Sequence, residues 1–148
     1  ARDYAEKYTG TTNLEEACRI IHERGACIAG VTDGANGSYF VWPDGTFYRC
    51  EPFTQSTVVD TTGAGDSFHG AFLANLVHTI NHMRGQDTTS TTKNDCASMH
   101  AVELLKACAH SDLEKASIFA SAVASLNTQG IGGRSPLPTL QSVQELIG

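Results

Sequence analysis

The chain has 148 residues, of which 41% are hydrophobic and 18% charged, with a formal net charge of −6 at pH 7. This length predicts one domain with its own core, and the acidic balance argues against a nucleic-acid or anionic-membrane surface, because no basic stripe is present to neutralise phosphates. No apolar run reaches the roughly 20 residues of a membrane helix, and the N-terminus has no signal-peptide pattern, so we expect a cytoplasmic protein without a membrane partner.

The first part of the chain predicts two helices and a strand. Residues 2–8 have the composition of a helix that Gly10 would end. Residues 12–25 offer Thr12 or Asn13 as the N-cap, two glutamates in the first turn, apolar residues at helical spacing and a closing glycine. The apolar run ACIAGVT at 26–32 then predicts a strand that is buried on both faces of a parallel sheet.

The middle of the chain predicts a hairpin, a fourth strand and a long helix. The runs SYFVW at 38–42 and TFYRC at 46–50 flank a Pro-Asp-Gly turn, which indicates a β-hairpin. The segment STVVD at 56–60 has the β-branched composition of a strand. Residues 67–82 predict a helix that follows it.

The last part of the chain predicts a loop and three helices. Residues 83–95 are polar, threonine-rich and without periodicity, which predicts a mobile surface loop. Helices are expected over 96–110 and 112–127, followed by an irregular segment and a closing amphipathic helix capped by Thr139. The order of elements predicts an α/β domain in which helices cover a sheet.

The stretch DTTGAGD at 60–66 joins the fourth strand to the long helix. Glycines at such a junction let the backbone close around an anion, and the unpaired amides of the helix N-terminus would point at it. A carboxylate at Asp66 would repel that anion unless it faces the group that attacks it. In phosphoryl transfer an aspartate accepts the proton of the attacking hydroxyl while fixed donors stabilise the transferred group. The stretch therefore predicts an anion hole and a general base at one site.

Two other interpretations of these glycines are open. The stretch could be a simple strand-to-helix turn, although the two aspartates and two threonines around it disfavour that interpretation. It could also be a dinucleotide fingerprint, G-x-G-x-x-G, but the third glycine is out of position at Gly70 and no acidic residue follows at the required distance. No Walker A sequence is present.

Cysteine and histidine side chains give no strong metal pattern. The five cysteines are scattered and form no CxxC pair, which favours reduced thiols over a disulfide framework or a zinc site. His78 and His82 share one helical face, but no third ligand is apparent, so a solvated face is favoured over a metal site. A structural position is favoured for His69 over substrate contact, and a surface position for Arg134 is at least as well supported as phosphate contact.

The sequence DTTGAGDSFHGAFLA at 60–74 closely resembles, without a gap, the second signature of the ribokinase-like (pfkB) carbohydrate kinases. The resemblance implies an ATP-dependent phosphotransferase, similar to ribokinase, fructokinase or ketohexokinase, that phosphorylates a hydroxyl of a sugar. It implies Asp66 as the general base and the backbone amides of Gly63, Ala64, Gly65 and Asp66 as the anion hole. A nucleoside kinase of the adenosine type and a non-catalytic ligand-binding member of the family remain as alternatives.

The resemblance also implies binding sites for a nucleotide and for metal ions. The segment GVTDGANGSYF at 30–40 is similar to the family's VTxGxxG turn, and the implied nucleotide-binding residues are Thr32, Asp33, Gly34, Asn36, Gly37, Gly65 and Ser121. Ser121 stands where many relatives have Asn or His. Mg²⁺ is implied on the phosphates. For a monovalent cation such as K⁺ the matching positions are Asp60, Thr62, Asn127, Gly130 and Gly132, with Ser135 as a further candidate.

The resemblance assigns residues 1–148 to the C-terminal, nucleotide-binding and catalytic half of a kinase domain. The implied fold is a ribokinase-like three-layer α/β/α sandwich that lacks the lid and the N-terminal half, where most sugar-recognition residues lie. Because the chain begins without methionine inside a predicted helix, we expect a fragment. Residues 81–111, which contain the predicted loop, are expected to be an insertion. The expected partners are a sugar and ATP, and the resemblance is compatible with a homodimer of the intact protein.

Overall fold

The computed structural model describes residues 1–55, 57–86, 101–133 and 137–148. This part of the chain contains six helices and one three-stranded sheet, with bounds as follows: α1 (Arg2–Thr9), α2 (Leu14–Glu23), β1 (Ala29–Thr32), β2 (Ser38–Val41), β3 (Phe47–Cys50), α3 (Ala64–Gln86), α4 (Ala101–Ala107), α5 (His110–Asn127) and α6 (Leu140–Ile147). Two predicted caps are confirmed: Asn13 accepts the amide of Glu16 at 3.1 Å, and Thr139 accepts the amide of Ser142 at 3.1 Å. No helix of the described residues is long and apolar enough to cross a membrane.

The sheet is antiparallel, in the order β1-β2-β3. The predicted hairpin is confirmed, with Val41 opposite Phe47. The predicted parallel arrangement does not hold for the pairing of β1 with β2, since Gly30 lies opposite Phe40 in an antiparallel ladder. The reason is the connection: only five residues separate β1 from β2, whereas a parallel neighbour needs a crossover of a dozen or more residues. The predicted burial on both faces is also wrong, because Gly30 is exposed while its neighbours Ala29 and Val31 are buried.

The predicted strand at 56–60 is not a strand over 57–60, and residue 56 lies outside the described residues. The side chains of Val58 and Val59 are 58% and 51% exposed. The amides of Val59 and Asp60 both donate to one carbonyl, that of Thr128, at 2.8 and 3.1 Å. No strand of the described chain lies beside this segment, and β-branched composition alone does not form a ladder without such a neighbour.

Two hydrophobic clusters lie on opposite faces of the sheet. One contains Val31 and Val41 together with buried residues of α1 and α2. The other contains Phe40 and Trp42 together with buried residues of α3 and α5. Alternate residues of β2 point to opposite faces, so this single strand contributes to both clusters. The arrangement is helix layer, sheet, helix layer, and the expected three-layer α/β/α architecture is confirmed for the described residues.

The helices of the second half differ from the prediction at their ends. Helix α3 begins three residues earlier and ends four residues later than predicted, so residues 83–86 are helical and not a loop. Met83 packs against the hydrophobic cluster that contains Phe40 and Trp42. Methionine, arginine and glutamine are also good helix formers. Both features explain why the helix is longer than predicted. Residues 87–95 of the predicted loop and 96–100 of the next predicted helix lie outside the described residues. Helix α5 begins at His110, two residues before the predicted start.

Replacing Leu113 by alanine is expected to lower the free energy of unfolding by about 2–5 kcal/mol, because a buried cavity remains. The side chain is 0% exposed in the cluster between β2, α3 and α5. The control is Leu140→Ala, since Leu140 is 61% exposed; we expect it to change the free energy by less than about 0.5 kcal/mol. Urea unfolding followed by the fluorescence of buried Trp42 measures both variants. Equal shifts of the urea midpoint in the two variants would contradict the position of Leu113 in the core.

Candidate functional site

The turn between β1 and β2 forms one side of the site. The amide of Asp33 donates to the carbonyl of Gly37 at 2.8 Å, and a single 3-10 turn, Gly34–Asn36, lies between them. Gly37 has φ +92°, and a Cβ at this position would overlap the carbonyl oxygen of Cys50. Only glycine therefore fits where the turn meets β3. The turn is held tightly against the sheet.

The carboxylate of Asp33 accepts hydrogen bonds from α1 and from its own turn. One of its oxygens accepts the guanidinium of Arg2 at 3.0 Å and the side-chain amide of Asn36 at 3.1 Å. Arg2 is itself held by Glu6, at 2.7 Å. The sequence analysis missed the pairing of Arg2 with Asp33. The spacing of Arg2 and Glu6 is visible in the sequence, but nothing local connects α1 to a residue 31 positions later.

The N-terminus of α3 forms the second part of the site. Gly63 adopts φ +80°, and its carbonyl accepts the amide of Ser67 at 2.9 Å. The amide of Ala64 donates to Thr61 at 3.2 Å, so one of the four amides predicted for the anion hole already has a partner. The amides of Gly63, Gly65 and Asp66 have none among the described residues. Three donors are thus available at the positive end of the helix.

Asp66 is exposed in the first turn of α3, and its carboxylate makes no hydrogen bond within the described part of the chain. Neighbouring His69 bonds to the carbonyl of Gly65 at 2.8 Å through Nδ1, which is a local helix contact. The Asp66 carboxylate is therefore the one titratable group at this helix end with both oxygens available to a ligand, in the residues that the structure describes.

Asp60 joins the two loops behind the site. Its Oδ1 accepts the amide of Thr62 at 2.9 Å and its Oδ2 accepts the amide of Gly132 at 2.9 Å. These donors, first that of Thr62, stabilise the ionised form and hold the pKa of Asp60 below its usual value. Beside this bond Gly63 and Gly133 touch backbone to backbone, because a Cβ on Gly63 would overlap Gly133.

Asn127 lies next to this junction. It is 0% exposed, and its Nδ2 donates to the carbonyl of Thr62 at 3.5 Å. Its Oδ1 is buried without a hydrogen-bond partner. The structure thus brings together four of the residues predicted for a monovalent cation, namely Asp60, Thr62, Asn127 and Gly132. The orphaned oxygen fits a cation, since a buried acceptor without a partner is costly. No hydrogen bond of the described residues involves Gly130.

A cleft of about 640 Å³ lies between the turn, the segment after β3, and helices α3 and α5. Its size is in the range of small-molecule and cofactor sites. It is lined by nearly all residues predicted to bind a nucleotide, that is, Thr32, Asp33, Gly34, Gly37, Gly65 and Ser121; Asn36 does not line it. The sequence analysis missed the apolar lining residues Phe53, Val58 and Phe68. Their type is common in any core, so no sequence signal identifies them.

The wall of the cleft formed by residues 51–55 is attached to α5 by two serine side chains and to the turn after α5 by one glutamine. The hydroxyl of Ser121 donates to the carbonyl of Glu51 at 3.4 Å, and that of Ser125 to the carbonyl of Phe53 at 2.9 Å. Gln129 donates to the side chain of Gln55 at 2.8 Å. The spacing of four residues places Ser121 and Ser125 on one face of α5, which is the signal that could have identified this attachment. Ser121 is thus committed to the backbone as well as facing the cleft.

The remaining candidates among the described residues do not join the site. Among the described residues no group of three or more His, Cys, Asp or Glu side chains could hold a metal ion, so His78 and His82 have no third ligand there. Cys18, Cys27, Cys50 and Cys108 are free. Cys96, Arg134 and Ser135 lie outside the described residues.

Comparison with known proteins gives consistent matches. The family model described as pfkB family carbohydrate kinase matches residues 2–140. The bifunctional ribokinase/ribose-5-phosphate isomerase A of Fructilactobacillus sanfranciscensis is 27% identical over 136 residues, which are 92% of this chain and 19% of that protein. The cytidine kinase of Thermococcus kodakarensis is 38% identical over 68 residues, which are 45% of this chain and 24% of that protein.

A solved structure shows the same fold. The fructokinase of Vibrio cholerae, determined with fructose, ADP and calcium ion bound, superposes with a TM-score of 0.70 at 20% identity, over 99% of this chain and 39% of that one. At this identity the likeness establishes a ribokinase-like α/β fold for the part that aligns. The chain therefore spans well under half the length of the relatives and of the solved structure that it matches.

Gly63→Ala is expected to lower the free energy of unfolding by more than about 1–2 kcal/mol, because alanine is disfavoured at positive φ and its Cβ would also overlap Gly133. The matched control is Gly65→Ala, since a Cβ there has nothing within 4 Å and the residue is helical. We expect that control to raise the free energy of unfolding by about 0.5–1 kcal/mol. Urea titration compares the two variants, and an unchanged stability of Gly63→Ala would argue against the contact.

Proposed function

Because the chain belongs to the pfkB family of carbohydrate kinases, we propose that it carries the nucleotide-binding and phosphoryl-transfer part of an ATP-dependent kinase. The acceptor that we propose is a hydroxyl of a sugar. One observation carries the proposal: the cleft lined by the predicted nucleotide residues ends at Gly65, where unpartnered amides and the Asp66 carboxylate meet. This chain covers only 39% of the length of the solved fructokinase. We therefore propose the activity for the whole protein and not for this part alone.

ATP would lie in the cleft with its phosphates toward α3. The apolar side chains of Phe53, Val58 and Phe68 would cover the base and ribose, and the turn with Gly34 and Gly37 would approach them closely. The amides of Gly63, Gly65 and Asp66 would donate to the γ-phosphoryl oxygens, where fixed donors act without needing to reorganise. Each such donor contributes about 10²–10³-fold to the rate in comparable anion holes.

Asp66 would accept the proton of the attacking hydroxyl. Its carboxylate is exposed and free of hydrogen bonds within the described residues, so both oxygens can reach an acceptor. In this proposal the base and the electrophile would both lie at the N-terminal end of α3, beside the anion-binding amides. Asp60 is less suited to this role, because both of its oxygens already accept amides and its pKa is lowered.

Two metal ions belong to the proposal. Mg²⁺ would accompany the nucleotide, keep several of its water ligands and neutralise charge on the phosphates. A monovalent cation would be held by the Asp60 carboxylate, the Thr62 carbonyl and oxygens of Asn127, Gly130 and Gly132. This set of hard oxygen donors fits K⁺, and the orphaned Oδ1 of buried Asn127 supports it. Its role would be to stabilise the loops that support the anion hole.

A nucleoside acceptor is the second candidate. It is favoured by the similarity of 68 residues to a cytidine kinase. The machinery would be the same, because both reactions transfer a phosphoryl group to an alcohol. A non-catalytic ligand-binding role is less well supported, since Asp66 and the glycines of the anion hole are all present. Homodimer formation and a cytoplasmic location stay predictions.

Asp66→Asn in the intact protein is expected to lower kcat by about 10²–10⁴-fold, because the base is removed, with little change in ATP affinity. Asp112→Asn is the matched control. Asp112 lies in the first turn of α5, so its replacement removes a negative charge from a helix N-terminus in the same way. Asp112 does not line the cleft, so we expect this control to keep normal turnover. ATP turnover and ATP titration measure the two quantities. If Asp66→Asn keeps near-normal turnover, the base assignment is wrong.

An ATP-consumption assay against a panel of sugars and nucleosides is expected to give turnover with a sugar. Turnover with nucleosides alone would select the second candidate. Binding of ATP without turnover for any acceptor, in the intact protein, would instead support a regulatory ligand-binding role. Failure to bind ATP or ADP would contradict the proposed nucleotide site itself.

A further inference from the structure

His69 lies one turn of α3 beyond the proposed anion hole and hydrogen-bonds back to it. Its Nδ1 is 2.8 Å from the carbonyl oxygen of Gly65. A carbonyl oxygen only accepts hydrogen bonds, so Nδ1 carries the hydrogen and donates it. The ring also packs edge-on against Phe68, with centroids 6.1 Å apart and an interplanar angle of 81°. Two contacts therefore orient a side chain that is otherwise exposed.

The carbonyl of Gly65 and the amide of Asp66 belong to one planar peptide group, in which they point in opposite directions. The carbonyl points along α3 toward His69. The amide of Asp66 has no hydrogen-bond partner among the described residues and is one of the three donors available at the helix end. A hydrogen bond that the carbonyl accepts polarises the peptide group and makes its N–H a stronger donor. The imidazole thus acts on an anion-hole donor without touching the anion.

We propose that His69 is a positioning residue that polarises the peptide between Gly65 and Asp66 and so strengthens the Asp66 amide toward the transferred phosphoryl group. The inference rests on the proposed function, because it assumes that this amide binds the γ-phosphoryl oxygens. The same bond holds the peptide plane, since the carbonyl and the amide cannot turn independently. The structural position favoured for His69 from the sequence then has a consequence for the reaction.

The expected effect of the imidazole is smaller than that of the donor on which it acts. One anion-hole donor contributes about two to three powers of ten to the rate in comparable sites. One further hydrogen bond strengthens its neighbour by about 10–30%. Removing the imidazole should therefore lower kcat by about two- to eightfold. The KM for ATP should not change, because the donor acts mainly on charge that develops during transfer.

Leucine and asparagine at position 69 separate this effect from a role in helix stability. Asparagine carries Nδ2 on Cγ, where histidine carries Nδ1, so His69→Asn can still donate to the carbonyl of Gly65. His69→Leu has nearly the same shape as His69→Asn but no donor. Leucine is the better helix former of the two, so a role in helix stability alone predicts the higher turnover for His69→Leu. The proposal predicts the reverse order.

His22 offers a matched control. Its Nδ1 lies 2.8 Å from the carbonyl oxygen of Ala26, so it makes the same kind of bond across the same separation of four residues. His22 belongs to α2 and does not line the cleft. His22→Leu removes this bond away from the anion hole, and we expect it to keep normal kcat.

The first test measures kcat and the KM for ATP in the intact protein and the three variants. The acceptor is the compound that gives the fastest turnover in the panel of sugars and nucleosides. We expect His69→Leu to lose about two- to eightfold in kcat at unchanged KM, and His69→Asn to recover most of that loss. A kcat for His69→Asn that is equal to or below that of His69→Leu would overturn the proposal.

The second test measures the polarisation itself, by NMR of the intact protein labelled with ¹⁵N at aspartate and without any ligand. We expect the ¹⁵N resonance of the Asp66 amide to lie further upfield in His69→Leu than in His69→Asn, because the carbonyl of Gly65 has lost a donor. Neither variant has an aromatic ring at position 69, so ring currents cannot cause the difference. Identical Asp66 resonances in the two variants would show that any effect on kcat has another origin.

The outcomes also separate this inference from the proposed function. If no acceptor of the panel gives turnover and neither ATP nor ADP binds, the proposed function is wrong and the inference fails with it. If the unchanged protein turns over ATP, but His69→Leu and His22→Leu have the same kcat, only the role of His69 is wrong.

Discussion

The packing of Phe40 fixes the geometry of the site. Its ring stacks on Trp42, the residue that directly follows β2, with centroids 4.9 Å apart, and on Phe72 of α3 at 5.3 Å. Phe68, one turn earlier in α3, stacks at 6.3 Å and also lines the cleft. Gly30 makes this possible, because a Cβ there would press into the Phe40 ring at 2.8 Å. The aromatic cluster therefore holds the start of α3 at a set distance from the β1–β2 turn, and these are the two ends of the cleft.

The proposed function requires an acidic chain to bind a polyanion. Among the described residues that line the cleft, Arg2 is the only lysine or arginine, and it is paired with Asp33. In that proposal the attraction comes from neutral donors, the free amides at the N-terminus of α3, together with cations that arrive with the ligand. Fixed backbone amides are suited to bind an anion, because no charged lysine or arginine side chain has to be ordered and desolvated.

Local signals in the sequence predicted the structure where the cause is local. The caps at Asn13 and Thr139 and the hairpin around Pro43 depend on a few neighbouring residues, and each is confirmed. The apolar composition of β1 favoured a parallel strand, although its five-residue connection to β2 allows only an antiparallel pairing with that strand. Composition alone likewise predicted a strand at 57–60, whose β-branched residues have no neighbouring strand among the described residues. Contacts between residues far apart in the chain leave no local signal. The same limit explains why the Arg2–Asp33 pair was missed.

The two aspartates of DTTGAGD show how environment separates roles that the sequence cannot distinguish. Both lie near the helix N-terminus, which favours a negative charge. Asp60 has both oxygens occupied by backbone amides, and its lowered pKa makes it a weaker base. Asp66 has neither oxygen occupied within the described residues. The engaged carboxylate is suited to hold loops in place, and the unengaged one is suited to the role of base in the proposed reaction.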